Sequence, residues 1–185
     1  MVQNRLLFSS VIFFALTSCK IDRKETVDRD KFTFRYTDDA YLFFRNIRQV
    51  YYDFQDLPQA RWHAYRLSNR YSGNQRPALN PVIVVSWETK EASLLIEGNE
   101  LLMSEPEFVI REINPQSGAT YSYRLRERGR ENMLEFATKI YEGILAENGL
   151  NILYNGQYYP LFPEEDDADN FRVVLADYYR LTRIF

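Results

Sequence analysis

The stretch Glu107-Phe108-Val109-Ile110-Arg111-Glu112-Ile113-Asn114-Pro115-Gln116-Ser117-Gly118-Ala119-Thr120-Tyr121-Ser122-Tyr123-Arg124-Leu125 decides the fold. Residues 107–113 and 119–125 are rich in β-branched and aromatic side chains. They flank residues 114–118, a cluster of turn formers, so the segment reads as a hairpin. The return strand alternates, with Tyr121, Tyr123 and Leu125 on one face and Thr120, Ser122 and Arg124 on the other. Directly after it the apolar period changes from two to 3.6. Met133, Phe136, Ala137, Ile140, Tyr141, Ile144 and Leu145 recur at helical spacing.

Outward from this core the same alphabet repeats. Residues 82–87 and 92–97 are β-rich runs around Glu88-Thr89-Lys90-Glu91, a second hairpin. Asn155-Gly156 separates two short apolar runs, residues 152–154 and 158–161, and is a strong hairpin signal. Asn132 and Glu135 have capping-box spacing at the start of the first helix, and Asn148-Gly149 reads as its stop. Phe171, Val174, Leu175, Tyr178, Leu181 and Phe185 form one stripe of a final helix. Its acidic start and its Arg180 and Arg183 near the end suit the helix dipole. Residues 32–36 alternate as a strand, and residues 72–81 form a loop. Residues 41–54 fit a helix through Phe43, Ile47, Val50 and Phe54. Their Tyr, Phe, Ile and Val content favours strand, and the extended reading is adopted. Residues 61–67 would pair with them across a turn at residues 57–60. The expected fold class is α+β: a mainly antiparallel sheet built from hairpins, with amphipathic helices at about 133–147 and 169–184 packed on one face.

The chain has 185 residues, with 23 Lys and Arg against 26 Asp and Glu, a net charge of −3. A mildly acidic chain of this kind is a poor partner for nucleic acid, whose binding rests on clustered cations. Aromatic residues are many: 14 Tyr, 13 Phe and 2 Trp. The one cysteine, Cys19, allows no internal disulfide and no thiolate metal cluster.

Cys19 closes the stretch Leu16-Thr17-Ser18-Cys19, which follows an apolar run at residues 6–16. That run is shorter than the roughly 20 residues a membrane-spanning helix needs and fits the core of a secretory signal. The ending resembles the lipobox of bacterial lipoproteins. The resemblance covers 19 residues and says nothing of the fold downstream. It implies a signal peptide at 1–18, cleavage before Cys19 and acylation of Cys19. The membrane is then a partner through lipid, since two or three acyl chains make a stable anchor. Lys20, where an inner-membrane retention signal would have Asp, favours the outer membrane of the cell envelope. Residues 19–31 are almost all charged or polar and read as the lipidated cysteine with a flexible tether. Residues 32–185 form a single globular domain.

No motif in the domain calls for a catalytic set, a metal or a cofactor. His63 is the only histidine, and no nucleophile motif accompanies it. The acidic run at residues 164–169 lacks the glycine and distal glutamate of a calcium loop and reads as helix capping. Arg124, Arg126, Arg128 and Arg130 alternate and read as solvated charge. The candidate binding residues are Tyr51, Tyr52, Asp53, Trp62, Tyr65 and Arg66, with Arg70 and Tyr71 beside them. Aromatics mixed with Arg and Asp suit the centre of a protein interface or a sugar-stacking surface. Trp87 is expected in the core. Three readings stay open: a non-enzymatic envelope lipoprotein that binds another envelope protein as a module or accessory subunit; a glycan- or small-ligand-binding lipoprotein; and a hydrolase of envelope polymers using carboxylates such as Glu88 and Glu91.

Overall fold

The computed structural model describes residues 27–185. The expected signal peptide, Cys19 and the first part of the expected tether lie outside the described residues. The fold class is α+β, with two antiparallel sheets rather than one. The first holds β1 (Tyr52–Leu57), β2 (Trp62–Leu67), β3 (Leu79–Ser86) and β4 (Glu91–Gly98), ordered β1-β2-β3-β4. The second holds β5 (Phe108–Ile113), β6 (Thr120–Leu125), β7 (Gly149–Tyr154) and β8 (Gln157–Pro160), ordered β6-β5-β7-β8. Helix α2 (Arg130–Leu145) links β6 to β7, and α3 (Glu165–Leu181) closes the chain. No helix among the described residues is long and apolar enough to cross a membrane.

Local chemistry explains these elements. Asn155 and Gly156 take φ of 48° and 76°, the pair of positive values that a two-residue hairpin loop between β7 and β8 demands. Pro81 sits in β3, an inner strand, without breaking a bond to β2. That ladder ends at Arg66↔Val82, one residue short of the proline. The inward stripe of α2, including Phe136, Ile140 and Tyr141, and that of α3, including Phe171, Leu175 and Tyr178, share one core with Ile83, Leu94, Ile110 and Ile152. Each such side chain contributes about 1.5–3 kcal/mol by leaving water.

Both helices differ from expectation at their ends. The box expected at Asn132 and Glu135 does not form. Helix α2 starts at Arg130 behind an extended Gly129, and Glu135 is drawn to Arg29 at 3.0 Å. At its end Glu147, not Gly149, is left-handed, with φ of 56°. The Glu147 and Asn148 amides donate to Ile144 and Gly143 at 3.1 and 2.9 Å, a Schellman cap. Gly149 opens β7 opposite Ile113 instead. At the start of α3 the Glu164 amide donates to Asp167 at 3.1 Å, so capping is the role of this acidic run.

The N-terminal expectations need two corrections. Residues 32–36 form only one bridge, Arg35 to Glu91, and lie as a strap along β4. Residues 27–31, expected as part of a flexible tether, pack against the domain instead. Val27 is buried, and Arg29 grips Glu142 on α2 at 2.7 Å.

The largest correction concerns residues 41–54. The chain is helical from α1 (Asp38–Phe43) through a π turn (Phe44–Arg48) and a 3-10 turn (Gln49–Tyr51), and extended only from Tyr52. Packing overrides β propensity here. Phe44 is buried with its ring 5.5 Å from Tyr52 and 5.1 Å from Tyr65, a contact that a helical turn over the sheet permits. We call residues 38–51 the hook.

Candidate functional site

The hook has one inward side. Ala40, Tyr41, Phe44, Arg48 and Gln49 are wholly or partly buried, while residues 42, 43, 45–47, 50 and 51 are exposed. A surface segment would be expected to carry polar groups there. Instead it carries Leu42, Phe43, Ile47, Val50 and Tyr51, with Val50 78% and Phe43 52% exposed. Phe54, the third residue of β1, extends this apolar face at 47% exposure. Large exposed apolar side chains are therefore gathered on thirteen consecutive positions, 42–54, rather than scattered. The π turn lies in the middle of the segment, a feature frequent at functional sites.

Ion pairs hold the hook in place. Arg48 Nε donates to both carboxylate oxygens of Asp177 on α3 at 2.9 Å, and the Tyr52 hydroxyl donates to the same carboxylate at 2.7 Å. Arg183 pairs with Asp39. Asp39, Phe43, Arg48, Asp177, Arg180 and Arg183 line a groove of about 260 Å³ between hook and α3. Arg45, on the exposed side, has no carboxylate partner among the described residues; its guanidinium lies 5.9 Å from the Tyr41 ring. Apolar residues rimmed by arginine are thus the surface chemistry of this face.

The six residues singled out from the sequence do not form one site. Alternate members share a face, as strand pairing requires. Tyr52 and Tyr65 point into the core, 6% and 1% exposed. Burial pushes both phenols above their ordinary value, helped by Asp177 for Tyr52 and by Tyr41 for Tyr65. Asp53, Trp62 and Arg66 lie on the opposite face, over an apolar strip of Ala64, Val82 and Val84. There Arg66 grips Glu97 through two bonds of 2.9 and 2.7 Å and reaches Gln55 at 2.8 Å. Asp53 accepts from Ser68 at 2.9 Å and Arg70 at 2.5 Å. Those bonds, the Arg70 bond first, hold its carboxyl below the usual range. Tyr51 alone belongs to the hook face, with Arg48 4.8 Å from its ring. Trp87, expected in the core, is 49% exposed, its ring 6.5 Å from His63.

The remaining candidates find partners inside the molecule. His63 Nδ1 lies 3.2 Å from the Tyr41 hydroxyl, and Nε2 lies 3.6 Å from Asp56. The Tyr41 hydroxyl also meets that of Tyr65 at 3.2 Å. Glu88 pairs with Arg61, and Glu91 with Arg130 at 3.6 Å. Arg124 and Arg126 converge on Glu107, while Arg128 and Arg130 stack on Phe108 and Phe34. Tyr71 carries the Arg76 guanidinium 3.8 Å from its ring, and Arg76 pairs with Asp167 at 2.7 Å. These two border an open cleft of about 800 Å³ between the 69–76 loop and the start of α3. Among the described residues no cluster of three or more His, Cys, Asp and Glu side chains is placed to hold a metal ion.

No known protein family, curated protein or solved structure matches this chain.

Leu42, Phe43, Ile47 and Val50 are the functional candidates that sequence reasoning passed over. The signal was present in the helical spacing of Phe43, Ile47, Val50 and Phe54. Read as a strand, these residues fall on no common exposed face.

Proposed function

We propose that this chain is a non-enzymatic envelope lipoprotein, held in the membrane through acyl chains on Cys19, that binds another envelope protein as a module or accessory subunit. The outer membrane is its place by the Lys20 criterion. The hook is the contact surface. The observation that carries the reading is the gathering of Leu42, Phe43, Ile47, Val50, Tyr51 and Phe54 as exposed side chains on one short segment. Patches of this kind mark protein interaction sites, and aromatic residues with arginine are enriched in interface centres. Arg45 at the rim fits a partner segment that is apolar with an acidic edge. The Leu16-Thr17-Ser18-Cys19 ending supports the anchor.

The test has two arms. Fractionation of cells carrying Cys19→Ala checks the anchor: the folded domain is expected in the soluble fraction, and retention in membranes overturns that part. Affinity capture compares the lipidated wild type with a Phe43→Asp/Ile47→Asp variant. A stoichiometric protein that follows the wild type and is lost from the folded variant is expected. The same recovery from both overturns the contact surface.

The glycan reading rests on the cleft beside Tyr71, whose rim includes Asn69, Gln75, Asp166 and Asn170. Amides and carboxylates on that rim suit hydroxyl donors, and Leu161 and Phe162 line the adjoining floor.

A further inference from the structure

The two edges of the first sheet are finished differently. At the start of β4 the strap covers the edge: the Ala92 amide donates to Phe34 at 2.6 Å, and the Tyr36 amide donates to Lys90 at 3.2 Å. Along β1 no strand lies beside the edge among the described residues. Backbone groups of an antiparallel strand turn alternately toward and away from the neighbour. The Tyr51 carbonyl accepts from Ser68 at 2.9 Å, so residues 51, 53, 55 and 57 face β2. Residues 52, 54 and 56 face outward. The Tyr52 amide is consumed by the Gln49 carbonyl in the last turn of the hook. The Tyr52 carbonyl and both backbone groups of Phe54 and Asp56 have no backbone partner among the described residues. No lysine, proline or bulge blocks this edge; its register against β2 is unbroken from Tyr52 to Leu57. Such an edge is a template for another strand.

The geometry points to a second copy of this chain as the occupant. Two β1 strands pair antiparallel about a two-fold axis at Phe54, and two four-stranded sheets become one continuous sheet. This register is self-complementary. Phe54 meets the partner subunit's Phe54, Asp53 meets the partner subunit's Gln55, and Tyr52 meets the partner subunit's Asp56. No like charges stand opposite. Each Phe54 amide donates to the opposite Phe54 carbonyl, and each Asp56 amide donates to the opposite Tyr52 carbonyl. The Tyr52 amide is consumed by Gln49, so the opposite Asp56 carbonyl receives no bond in this register and stays with water. The two Phe54 rings lie on the same face as a cross-strand aromatic pair, which covers side chains now 47% exposed. The pairing uses the β1 backbone and, of the exposed apolar side chains, Phe54 alone, and leaves Leu42, Phe43, Ile47, Val50 and Tyr51 of the hook to the other partner.

Sedimentation of the full chain in detergent is the test. Twice the chain mass is expected for the wild type. Half that mass is expected for Phe54→Lys, which sets two ammonium groups face to face. A monomeric wild type overturns the pairing, as does a Phe54→Lys chain that stays dimeric. A second arm guards against misfolding of the lysine variant. In a Cys19→Ser chain, Phe54→Cys is expected to form a disulfide dimer under mild oxidation, because paired β residues bring Cα atoms about 5.5 Å apart. Gln116→Cys, in the distant β5–β6 turn, is expected to stay uncrosslinked. Equal cross-linking of both, or of neither, contradicts the register.

Discussion

The Tyr52 hydroxyl donates a 2.7 Å hydrogen bond to Asp177, joining the first residue of β1 to the last helix across 125 positions of sequence. The same carboxylate takes Arg48 at 2.9 Å, with Arg180 3.6 Å away. Asp177 is 2% exposed, so this one side chain ties hook, sheet and α3 together.

Asp177→Ala leaves the Arg48 guanidinium and a buried phenol without their acceptor. Breaking a buried pair from one side costs about 3–5 kcal/mol. Arg48 keeps partial access to water, so the lower end applies. The urea midpoint of the variant reports this directly, and a loss below about 1 kcal/mol contradicts the role. Tyr52→Phe removes only one bond and is expected to cost about 1 kcal/mol.

Phe43 and Phe44 are adjacent and should behave oppositely. Phe44 is 2% exposed against two tyrosine rings, and Phe44→Ala is expected to cost about 3–5 kcal/mol. Phe43→Ser, on the open side of the hook, is expected to stay within about 0.5 kcal/mol. Thermal unfolding of both variants checks the pair. A large loss from Phe43→Ser would make that ring structural rather than a contact residue.

These contrasts show where the sequence was legible. The hairpins β3–β4, β5–β6 and β7–β8 stood out because short-range turn chemistry fixes them, and the stripes of α2 and α3 did so through their period. The hook was misread because Tyr41, Phe44 and Tyr52 take their places from Tyr65 and Asp177, far along the chain, and no local pattern encodes such contacts. Of the binding candidates, Tyr52 and Tyr65 became core. Aromatic content marks burial and recognition alike, and only the β1–β2 register separates the two.

Gly156 holds φ of 76° at the tip of β7–β8, with nothing within 4 Å of the position a Cβ would take. Gly156→Ala meets no clash and isolates the backbone cost, about 1–2 kcal/mol for a left-handed L-residue. For a chain of this length that lowers Tm by roughly 2–4 °C per kcal/mol. Differential scanning calorimetry checks it; an unchanged Tm contradicts the turn assignment.

Asp53 supplies a pH test. Its carboxyl is held below the ordinary value by Arg70 first and Ser68 second. A lowered folded pKa means that the tie adds stability above the ordinary carboxylate pKa, about 3.9, and loses it as pH falls through the folded value. An NMR titration is expected to place Asp53 below the ordinary carboxylate value. Arg70→Gln should move it back toward the ordinary value. No movement would mean that the ion pair does not form in solution.

The most direct measurement is photo-cross-linking in intact cells, with the reactive side chain at Ile47 in the lipidated protein and at Gln116 as the control. One envelope protein joined through position 47 and absent at position 116 is the expected result. The same adducts at both positions, or none at position 47, would contradict a contact surface on the hook.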